Sequence, residues 1–499
     1  MPRFVSPPEM WQTQRGVRGS QLETVKKING RAVGLRRLAP EFLFIALALG
    51  LPFGLGTAPS IFRDGDVSWQ VAAGKWILEH GQIPTTDPFS YTAFGHRWVA
   101  MEWLSQIVFG SAFSLDGYAG LATVIAAAVI ALFAILYFYL ERRASPVAVT
   151  IALLMVAFVI APFILARPHV LAWPLLAGWT VLLLRAAEAG APPPLWTTLL
   201  LVVWTNLHAS FPLALVIEAA IGFDALVSAK WSTIRPWLVF GVMSVVALML
   251  NANGLAGLRQ PFETSSLSML PFIAEWHAST TNSTPYFYGA LALGIGMLLY
   301  SGVRVPLGRL VLLIVMMGMA FLHVRHQSFF IIIAASVLPP QARTVPTSYR
   351  MPRWLLVGAL PMLAFRAAVP LLPPEGPANP RRLIAAIPPD LRTRPVLNEY
   401  TFGGPLILTG IRPYIDGRGE IYGDAFVANY VRIADGDMRA FNEAVKRYDI
   451  RWTMLSPSQA SLIRNMETSG EWRRVYADKI GVIDIRQSAP RGHSQPPNQ

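Results

Sequence analysis

Long runs of apolar residues, separated by short polar junctions, are the feature of this sequence that most restricts its fold. Of the 499 residues, 53% are hydrophobic and 14% are charged, whereas a soluble globular protein carries about 25% charged residues. On the scale of about 20 apolar residues for each membrane crossing, the sequence predicts about 11 spanning helices. They lie at residues 40–58, 119–140, 146–166, 169–186, 195–209, 211–228, 235–251, 286–301, 305–322, 327–339 and 353–373. We therefore expect a mainly α-helical, polytopic membrane protein.

The positive charge of the chain fits a membrane protein better than a nucleic-acid-binding one. Lysine and arginine exceed aspartate and glutamate by 13, an excess that on a soluble protein would suggest nucleic acid. Here the basic residues lie between the apolar runs, where they orient helices in a bilayer. The sequence contains no cysteine, which excludes disulfides, thiolate metal sites and thiol nucleophiles. We expect a lipid bilayer, and no nucleic acid, among the partners.

The distribution of basic residues predicts which helix ends share a side of the membrane, because cytoplasmic junctions are rich in lysine and arginine. Alternate junctions are basic, at Arg142/Arg143, Arg185, Lys230/Arg235, Arg304/Arg309 and Arg343/Arg350/Arg353. The opposite junctions, "RDGDVSWQ", "ARPHV", "NLHAS", "NANGLAGLRQPFE" and "HVRHQ", are polar and rich in histidine and amide. This pattern predicts a basic cytoplasmic segment at 1–39. After an odd number of spans, the carboxyl-terminal segment lies on the outer face.

Three segments are predicted to lie on the outer face of the membrane. They are a loop at 59–118, a loop near 252–285 and a tail at 374–485, which follows the membrane domain of 40–373. In the tail, "RPVLNEY", "RPYIDGR", "RWTMLS" and "GVIDIR" are typical of strands, and "MRAFNEAVKRYDI" is typical of a helix. Strands that alternate with helices predict a small α/β domain. The last residues, 486–499, are polar and proline-rich, which predicts disorder.

The first outer loop opens with two carboxylates, Asp64 and Asp66, in "RDGDVSWQ". From Trp69 the apolar residues recur at helical spacing up to Gly81, and a second stretch at 98–109 carries its apolar residues on one side. Tryptophan prefers the membrane interface, so both stretches are predicted to be amphipathic interfacial helices. The carboxylates then lie at a helix amino terminus, where capping and the helix dipole stabilise negative charge. This structural explanation and a functional one both stay open.

Longer stretches of the sequence resemble a large group of bacterial multi-span proteins. The resemblance is carried by "DGDVSWQVAAGKWILEHGQIPTTDPFSYTAFGHRWVAMEWL", "ARPHVLAWPL", "WTNLHASFPLAL", "IAEWHAS", "VLNEYTFGGPLI" and "YIDGRGEIYGDAF", and it extends from residue 40 to residue 485. The group is similar to the GT-C superfamily of glycosyltransferases, which includes protein mannosyltransferases and aminoarabinose transferases. This sequence departs from the group at Gln70, where histidine is common, and at the "NANG" of 251–254, where "NPYG" is common.

The resemblance implies a GT-C fold and a glycosyltransferase of the bacterial inner membrane, with its carboxyl-terminal domain in the periplasm. Such an enzyme would transfer a hexosyl or pentosyl group from a polyprenyl-phosphate donor to a glycan or glycolipid acceptor, in the assembly of envelope polysaccharide or glycolipid. In that superfamily an acidic residue of the first outer loop is the catalytic base. Carried over to this sequence, the catalytic residues are Asp66, as the base, and Asp64, as its neighbour.

Further polar residues at the predicted outer ends of the helices are candidates for binding the substrate. Arginine suits a departing lipid phosphate, and ionisable groups near the ends of spans are functional candidates by default. The predicted substrate-binding residues are Glu102, Arg167, His169, His208, Glu275, Arg325 and His326. Each also has a structural explanation, namely a salt bridge from Glu102 to Arg97, snorkelling of the arginines, packing of the histidines, and helix capping by Glu275.

Two predictions about the site are negative. No metal-binding spacing such as HExxH occurs, so no metal site is predicted. Some GT-C enzymes use a divalent cation and others do not, which leaves the cofactor open. In the tail, Asp416, Arg418 and Glu420 are predicted to pair with each other in a turn, and they are not included among the catalytic candidates.

Two other functions are compatible with the sequence. An envelope polysaccharide polymerase or ligase would use a polyprenyl-diphosphate oligosaccharide and rely on arginine and histidine of the outer loops. Activity that survives Asp66→Asn but not Arg325→Ala would favour this class. A non-catalytic lipid or polysaccharide transport partner would be supported by inverted repeats and broken helices, and the sequence shows no clear repeat. It also has no Walker-type loop, so the chain by itself is not an ATP-driven pump.

Overall fold

The computed structural model describes residues 58–227, 231–267, 270, 274–338 and 359–487. The predicted cytoplasmic segment, all but the last residue of the predicted span at 40–58, and the predicted disordered end beyond residue 487 lie outside the described residues. So do four of the basic residues that predict sidedness, Lys230, Arg343, Arg350 and Arg353.

The described chain is mainly helical, with a small mixed sheet near its carboxyl end. Its first part contains α1 (Asp66–His80), α2 (Trp103–Leu140), α3 (Pro146–Ile160), α4 (Pro168–Ala189), α5 (Leu199–Leu207), α6 (Pro212–Val227), α7 (Trp231–Met249), α8 (Gly254–Ser265), α9 (Pro285–Ser301), α10 (Leu307–Leu322), α11 (Gln327–Val337) and α12 (Ala359–Ala368). The tail contains α13 (Arg381–Ala385), β1 (Val396–Asn398), α14 (Gly403–Leu408), α15 (Gly419–Tyr422), α16 (Asp424–Ala434), α17 (Met438–Tyr448), β2 (Trp452–Leu455), α18 (Ala460–Ser469), β3 (Trp472–Ala477) and β4 (Val482–Arg486).

Three of the described helices are long and apolar enough to cross a membrane. They are Trp103–Leu140, Pro146–Phe163 and Pro168–Ala189, and the bent pair Ile234–Met249 and Gly254–Ser265 makes a fourth if it is one span. Shorter apolar helices at Leu195–Leu207, Pro285–Ser301, Leu307–Leu322 and Val324–Val337 coincide with other predicted spans. These helices support a membrane protein, while the number of 11 spans stays a prediction.

The chain bends by 89° between α7 and α8, and the side chain of Asn206 stabilises the bend. Its Oδ1 accepts hydrogen bonds from Nε1 of Trp103 at 2.7 Å and from the main-chain N–H of Ala252 at 3.0 Å. Its Nδ2 donates to the main-chain oxygen of Leu250 at 3.0 Å. These bonds satisfy main-chain groups that helix ends leave without partners.

Helix α1 forms where the sequence predicts a helix, and its ends follow the sequence signals. Oδ1 of Asp64 accepts a hydrogen bond from the main-chain N–H of Asp66 at 2.9 Å, which satisfies one of the free donors at the helix start. Gly81 ends the helix with a φ of 64°, a left-handed conformation that glycine adopts without steric cost.

The second predicted interfacial helix, at 98–109, is wrong in its extent. The main-chain N–H of Trp98 donates to the oxygen of Thr85 at 2.9 Å, so Trp98 belongs to a loop. Helix α2 begins only at Trp103 and has a break in its backbone at Gly117, where φ is 53°. The apolar spacing at 98–109 is misleading because Trp98 is buried with residues of the tail and not in a helix face.

The tail is built on a four-stranded sheet with the order β1-β2-β4-β3. Strand β1 is parallel to β2, and β4 is antiparallel to both of its neighbours. Three of the four predicted strands form, and the sequence analysis does not predict β3. The predicted strand "RPYIDGR" is wrong, because Asn398 bonds to its backbone in place of a neighbouring strand. Oδ1 of Asn398 accepts from the N–H of Tyr414 at 2.7 Å, and its Nδ2 donates to the oxygen of Ile415 at 2.8 Å.

Glycines allow the tail to pack directly against the start of α1. A Cβ on Gly404 would lie 2.3 Å from the main-chain oxygen of Gly65, and a Cβ on Gly417 would lie 1.8 Å from Oδ1 of Asp66. Neither distance leaves room for a side chain. Helix α1 therefore lies between α2 and the tail and is largely buried, while its predicted position in the membrane interface stays a prediction.

A buried arginine joins the first outer loop to the tail. Nη1 of Arg418 donates to Oδ1 of Asp87 at 2.7 Å, and its Nε and Nη2 donate to the two oxygens of Asp416 at 2.8 and 2.7 Å. The three side chains are almost completely inaccessible to solvent, and the Trp98 ring centre lies 4.9 Å from Cζ of Arg418. The predicted pairing of Asp416 with Arg418 forms, while Glu420 lies on the wall of a cavity.

We predict that Arg418→Leu destabilises the protein by about 3–5 kcal/mol, because two carboxylates would stay buried without their cation. Thermal unfolding of the detergent-purified protein, followed by tryptophan fluorescence, measures the loss. Arg432→Leu is the matched control, because Arg432 pairs with Asp437 on the exposed surface of the tail and its loss is expected to change stability little. Equal losses in the two variants would contradict the role of Arg418.

Candidate active site

A cavity of about 740 Å³ lies between the ends of the apolar helices and the tail. Its wall includes residues of α1 and α8, of the segments that precede α4 and α6, of the segment around Glu275, and of the tail. These are the junctions and segments that the sequence predicts to share the outer face. The structure therefore brings them together around one cavity, and which side of a membrane they face stays a prediction.

Arg167 binds three carboxylates on the wall of this cavity. Its Nη1 lies 2.9 Å from Oδ2 of Asp64 and 2.9 Å from Oε2 of Glu275, and its Nη2 lies 3.2 Å from Oδ2 of Asp66. The carboxylates come from two outer segments that are far apart in the sequence. A guanidinium group can bind several oxygens at once because its five N–H donors point in fixed directions.

The position of Arg167 follows from the sequence around it. Pro168 is the next residue and begins α4, and proline restricts the residue before it to an extended backbone. Arg167 accordingly has φ −128° and ψ 155°. The side chain is therefore presented at the end of α4 and is not part of a helix face.

The two aspartates of the first outer loop differ in their hydrogen bonds. Both oxygens of Asp64 have partners, because Oδ1 accepts from the N–H of Asp66 at 2.9 Å and Oδ2 accepts from Arg167 at 2.9 Å. For Asp66, Oδ1 accepts from Nε1 of Trp69 at 3.0 Å, and Oδ2 contacts Arg167 at 3.2 Å. Each aspartate thus has a partner on both oxygens, and the contact of Oδ2 of Asp66 is the longest of the four.

Burial, and next the negative charge of Asp64, raise the pKa of Asp66 to about 8, against the opposing effects of Arg167 and Trp69. Burial would also raise the pKa of Glu275, but the charges of Arg167 and Arg325 outweigh burial and lower it to about 2. The cavity wall therefore carries one carboxyl that exchanges its proton at mildly basic pH and one that stays ionised. Such a separation of pKa values is typical of functional sites.

Glu275 connects Arg167 to a second arginine. Its Oε1 lies 3.5 Å from Nη1 of Arg325, and Cζ of Arg325 lies 4.4 Å from the ring centre of Trp276. Positive and negative groups thus alternate along this wall, from Asp64 through Arg167 and Glu275 to Arg325. Arg325 has fewer carboxylate partners than Arg167 has.

A further carboxylate, Glu102, lies on the cavity wall between a glutamine and a histidine. Nε2 of Gln70 donates to Oε2 of Glu102 at 3.0 Å, and Nε2 of His208 lies 3.6 Å from its Oε1. The main-chain N–H of Ser210 donates to Nδ1 of His208 at 3.1 Å, so the ring proton is on Nε2 and faces the carboxylate. Burial raises the pKa of Glu102. Arg97, its predicted salt-bridge partner, is exposed.

The other two predicted histidines differ in position. His326 lines the cavity, and its Nδ1 lies 3.3 Å from the main-chain oxygen of Met319. His169 lines only a smaller adjoining pocket of about 60 Å³, and its Nε2 lies 2.8 Å from the main-chain oxygen of Phe163. The structural explanation, packing with one hydrogen bond, therefore describes His169 better than it describes His326.

The structure brings together every predicted site residue except His169 on the wall of the larger cavity. These residues are Asp64, Asp66, Glu102, Arg167, His208, Glu275, Arg325 and His326. This result concerns their positions, and their roles in catalysis and binding stay predictions.

The cavity wall also contains polar residues that the sequence analysis does not select, among them Arg63, Gln70, Tyr286, Tyr400 and Glu420. Burial raises the pKa of Glu420 to about 7. Arg63 and Gln70 belong to the "RDGDVSWQ" stretch, so their proximity to the aspartates is a signal that could have selected them. Glu420 has no local signal, because it reaches the cavity only when the tail packs against α1.

Within the described ranges, no group of three or more histidine, aspartate or glutamate side chains is arranged to hold a metal ion. The guanidinium of Arg167 lies between the three nearest carboxylates of the first and second outer loops. That the protein has no metal site stays an expectation from the sequence.

We predict that Arg167→Gln lowers the free energy of unfolding by about 3 kcal/mol at pH 8, the lower end of the cost of breaking a buried ion pair. Without the guanidinium, the pKa values of the three carboxyls rise in the native state. The native variant then binds more protons than the unfolded chain as the pH falls, which stabilises it. Its loss of stability relative to wild type therefore becomes smaller toward pH 5. In wild type, the raised pKa of Asp66 also makes the protein less stable as the pH rises. The stability that protonated Asp66 contributes is complete below pH 3.8 and is lost as the pH rises through about 8.

Thermal midpoints of wild type, Arg167→Gln and Arg325→Gln at pH 5 and pH 8 test this expectation. Arg325→Gln is the comparison variant, because Glu275, at 3.5 Å, is the one carboxylate that Arg325 contacts among the described residues, and a smaller deficit is expected. If the loss of stability in Arg167→Gln is the same at both pH values, Arg167 does not offset the negative charge of the three carboxylates.

Comparisons with known proteins extend this description. No family model and no curated protein matches the chain. The structure is similar to that of the oligosaccharyltransferase AglB from the archaeon Archaeoglobus fulgidus, in complex with an inhibitory peptide and a dolichol-phosphate. The TM-score is 0.50, the sequence identity is 13%, and the match covers 85% of this chain and 69% of AglB. An apo crystal structure of an Archaeoglobus fulgidus oligosaccharyltransferase gives a TM-score of 0.42 at 12% identity, with the same coverage. At this identity the likeness shows the fold alone, and the chain has a fold like that of AglB.

Proposed function

We propose that this chain is a membrane glycosyltransferase that transfers a sugar from a polyprenyl-phosphate donor to a hydroxyl-bearing glycan or glycolipid. In a bacterium it would act on the periplasmic face of the inner membrane, in the assembly of envelope polysaccharide or glycolipid. The observation that carries the proposal is the pair Asp64 and Asp66, bound by Arg167 on the wall of a cavity between apolar helices and a polar domain. A lipid-linked sugar requires such a place, because its hydrocarbon chain stays in the bilayer while its phosphate and sugar lie above.

The fold likeness supports a lipid phosphate as the donor class. The AglB structure contains a dolichol-phosphate, which is a long-chain polyprenyl-type lipid with a phosphate at one end. We carry over this lipid class to the present chain. The peptide in that complex belongs to AglB and is not proposed as an acceptor here.

Asp66 is proposed as the general base. An acceptor hydroxyl attacks the anomeric carbon of the donor sugar, the bond from that carbon to the phosphate oxygen breaks, and the lipid phosphate leaves with the electron pair. The hydroxyl proton passes to Oδ2 of Asp66, which contacts Arg167 at 3.2 Å. A base whose pKa is close to the working pH removes a proton efficiently, and the pKa of Asp66 is about 8. Asp64, which accepts from the main-chain N–H of Asp66 and binds Arg167, is a positioning residue.

Arg325 is proposed to stabilise the departing phosphate. Arg167 is bound by three carboxylates, whereas Arg325 has a single carboxylate contact at 3.5 Å and keeps N–H donors for a ligand. Charge-assisted hydrogen bonds from arginine to phosphate are among the stronger polar interactions in proteins. His326, next in the chain, lines the same wall and is proposed to contact the same ligand.

Glu420 and Glu102 are proposed to bind hydroxyl groups of the acceptor. Both carboxyl groups line the cavity, and the charge of Glu102 contributes to the raised pKa of Glu420, so the two groups lie within electrostatic range of each other. Carboxyl groups that are buried beside a cavity bind hydroxyl groups of a ligand in place of water. The tail would then help to select the acceptor.

A second candidate is a polymerase or ligase that uses a polyprenyl-diphosphate oligosaccharide. The name of the fold neighbour, an oligosaccharyltransferase, and the volume of the cavity, about 740 Å³, favour this candidate over a transport partner. It differs from the main proposal in the number of phosphates and sugars that the donor carries. A comparison of monophosphate and diphosphate donors therefore separates the two.

We predict that Asp66→Asn lowers the transfer rate by a factor of about 100 to 10,000, which is the usual effect of losing a general base. The assay uses radiolabelled undecaprenyl-phosphate glucose, mannose and arabinose, with a lipid extract of the native membrane as acceptor, and measures labelled product and released undecaprenyl phosphate. Asp390→Asn is the matched control, because Asp390 is exposed in the tail and its loss is expected to leave the rate unchanged.

The second candidate gives a different result in the same assay. Asp66→Asn would keep its activity, Arg325→Ala would lose it, and only diphosphate-linked oligosaccharides would serve as donors. That set of outcomes would falsify the assignment of Asp66 as the base.

The pH dependence of the reaction provides a separate prediction. Because the base must be deprotonated, kcat/KM is expected to rise about tenfold per pH unit at low pH, and to level off above an apparent pKa near the value of about 8 for Asp66. The profile is measured from pH 5.5 to 9.5 with the donor that wild type accepts. A break near pH 7 that Glu420→Gln removes would identify Glu420 as the base and contradict the prediction.

A further inference from the structure

Arg63 is an arginine on the cavity wall with no carboxylate partner within the described part of the chain. It is exposed, and its Nη2 donates to the main-chain oxygen of Pro162 at the end of the α3 segment. Arg167 and Arg325, the other arginines on this wall, bind carboxylates. Arg63 is therefore the cavity arginine with the largest capacity for an anion that comes from outside the protein.

Two further groups beside Arg63 favour an anion at the same place. Tyr286 lines the cavity, is half-buried and lies within electrostatic range of Arg63. Its hydroxyl has no hydrogen-bond partner within the part of the chain that the structure describes. Tyr286 is also in the first turn of α9, which begins at Pro285, and the amino-terminal end of a helix attracts negative charge. A guanidinium, a hydroxyl and a helix end thus line the same cavity, with the guanidinium and the hydroxyl within electrostatic range of each other.

The surface next to this edge of the cavity is apolar. Helices α3 and α9 pack against each other where Gly294 meets Met155. Their outer faces expose Phe158 (69% exposed), Leu154 (45%) and Leu293 (50%). Exposed apolar side chains on packed helices suit a hydrocarbon environment. An anion bound at the edge would therefore lie directly above a surface that accepts a hydrocarbon chain.

We propose that Arg63, the Tyr286 hydroxyl and the amino-terminal end of α9 bind the phosphate of a membrane lipid whose chain lies along the outer faces of α3 and α9. The identification of this lipid as a polyprenyl phosphate rests on the proposed function. The binding of a lipid phosphate at this edge rests on the groups themselves. In the transfer reaction this edge is where the donor enters and where the product lipid phosphate leaves.

Binding of undecaprenyl phosphate to the detergent-purified full-length protein tests the proposal without requiring transfer. A titration followed by the thermal midpoint gives the dissociation constant. Arg63→Ala is expected to weaken binding about tenfold or more, the effect of removing a charge-assisted bond to phosphate. Tyr286→Phe is expected to weaken it about threefold, by the loss of one neutral hydrogen bond. Arg63→Lys is expected to restore part of the affinity, because it keeps the charge.

Three controls define the ligand. Arg259→Ala is the matched variant, because Arg259 is an exposed arginine of α8 that does not line the cavity, and it is expected to bind like wild type. Undecaprenol, which lacks the phosphate, is expected to bind more weakly than undecaprenyl phosphate and equally well to wild type and Arg63→Ala. Inorganic phosphate at millimolar concentration is expected to compete poorly, because it lacks the hydrocarbon chain.

The proposal is overturned if Arg63→Ala, with an unchanged midpoint in the absence of lipid, binds undecaprenyl phosphate as wild type does. It is also overturned if undecaprenol binds as tightly as the phosphate, or if inorganic phosphate binds as tightly as the lipid. Asp66→Asn separates this result from the proposed function, because that variant is expected to bind the lipid normally. Normal binding with unchanged transfer in Asp66→Asn would remove the catalytic assignment and leave the lipid site standing.

Discussion

The guanidinium of Arg167 binds carboxylates from the first and the second outer loop, and the arrangement of the cavity wall depends on this contact. Three acids this close together in a partly buried place would repel one another without a cation. Because the cation is an arginine held at the start of α4 by Pro168, the three acids keep fixed positions relative to the ends of the apolar helices. Asp66, whose pKa is raised by burial and by the charge of Asp64, is the acid of the three whose proton is exchangeable.

The tail completes the cavity by close packing of its backbone. Gly404 and Gly417 bring the tail against α1 at distances that exclude a side chain, and the buried bonds from Arg418 to Asp87 and Asp416 join the two segments. The acidic pair consequently has the membrane helices on one side and the tail on the other. In the proposed reaction the first side supplies the lipid phosphate and the second supplies part of the acceptor site.

Much of the architecture could be predicted from local patterns. Apolar length and the alternation of basic and polar junctions are properties of short stretches, and they correctly grouped the helix ends that surround the cavity. The same reasoning selected Arg167 and Arg325, because charged residues at the ends of apolar runs are costly and therefore informative. It drew attention to Asp66, whose role as the base was implied by the family resemblance. The predictions of regular structure failed at 98–102 and at "RPYIDGR". The backbone of Trp98 bonds to Thr85 and that of Tyr414 bonds to the side chain of Asn398, so contacts outside each stretch decide its structure.

By itself the sequence determined that the chain is a helical membrane protein, that residues of its histidine-bearing and acidic junctions come together, and that Asp64 and Asp66 begin a helix there. Only the tertiary structure decided that Arg167 lies between these acids and Glu275, that α1 is buried under the tail, and that Glu420 and Arg63 reach the same cavity. The reason is physical. Hydropathy and helix-start signals act over a few residues, whereas a cavity wall is made by contacts between segments a hundred or more residues apart, which no local pattern encodes.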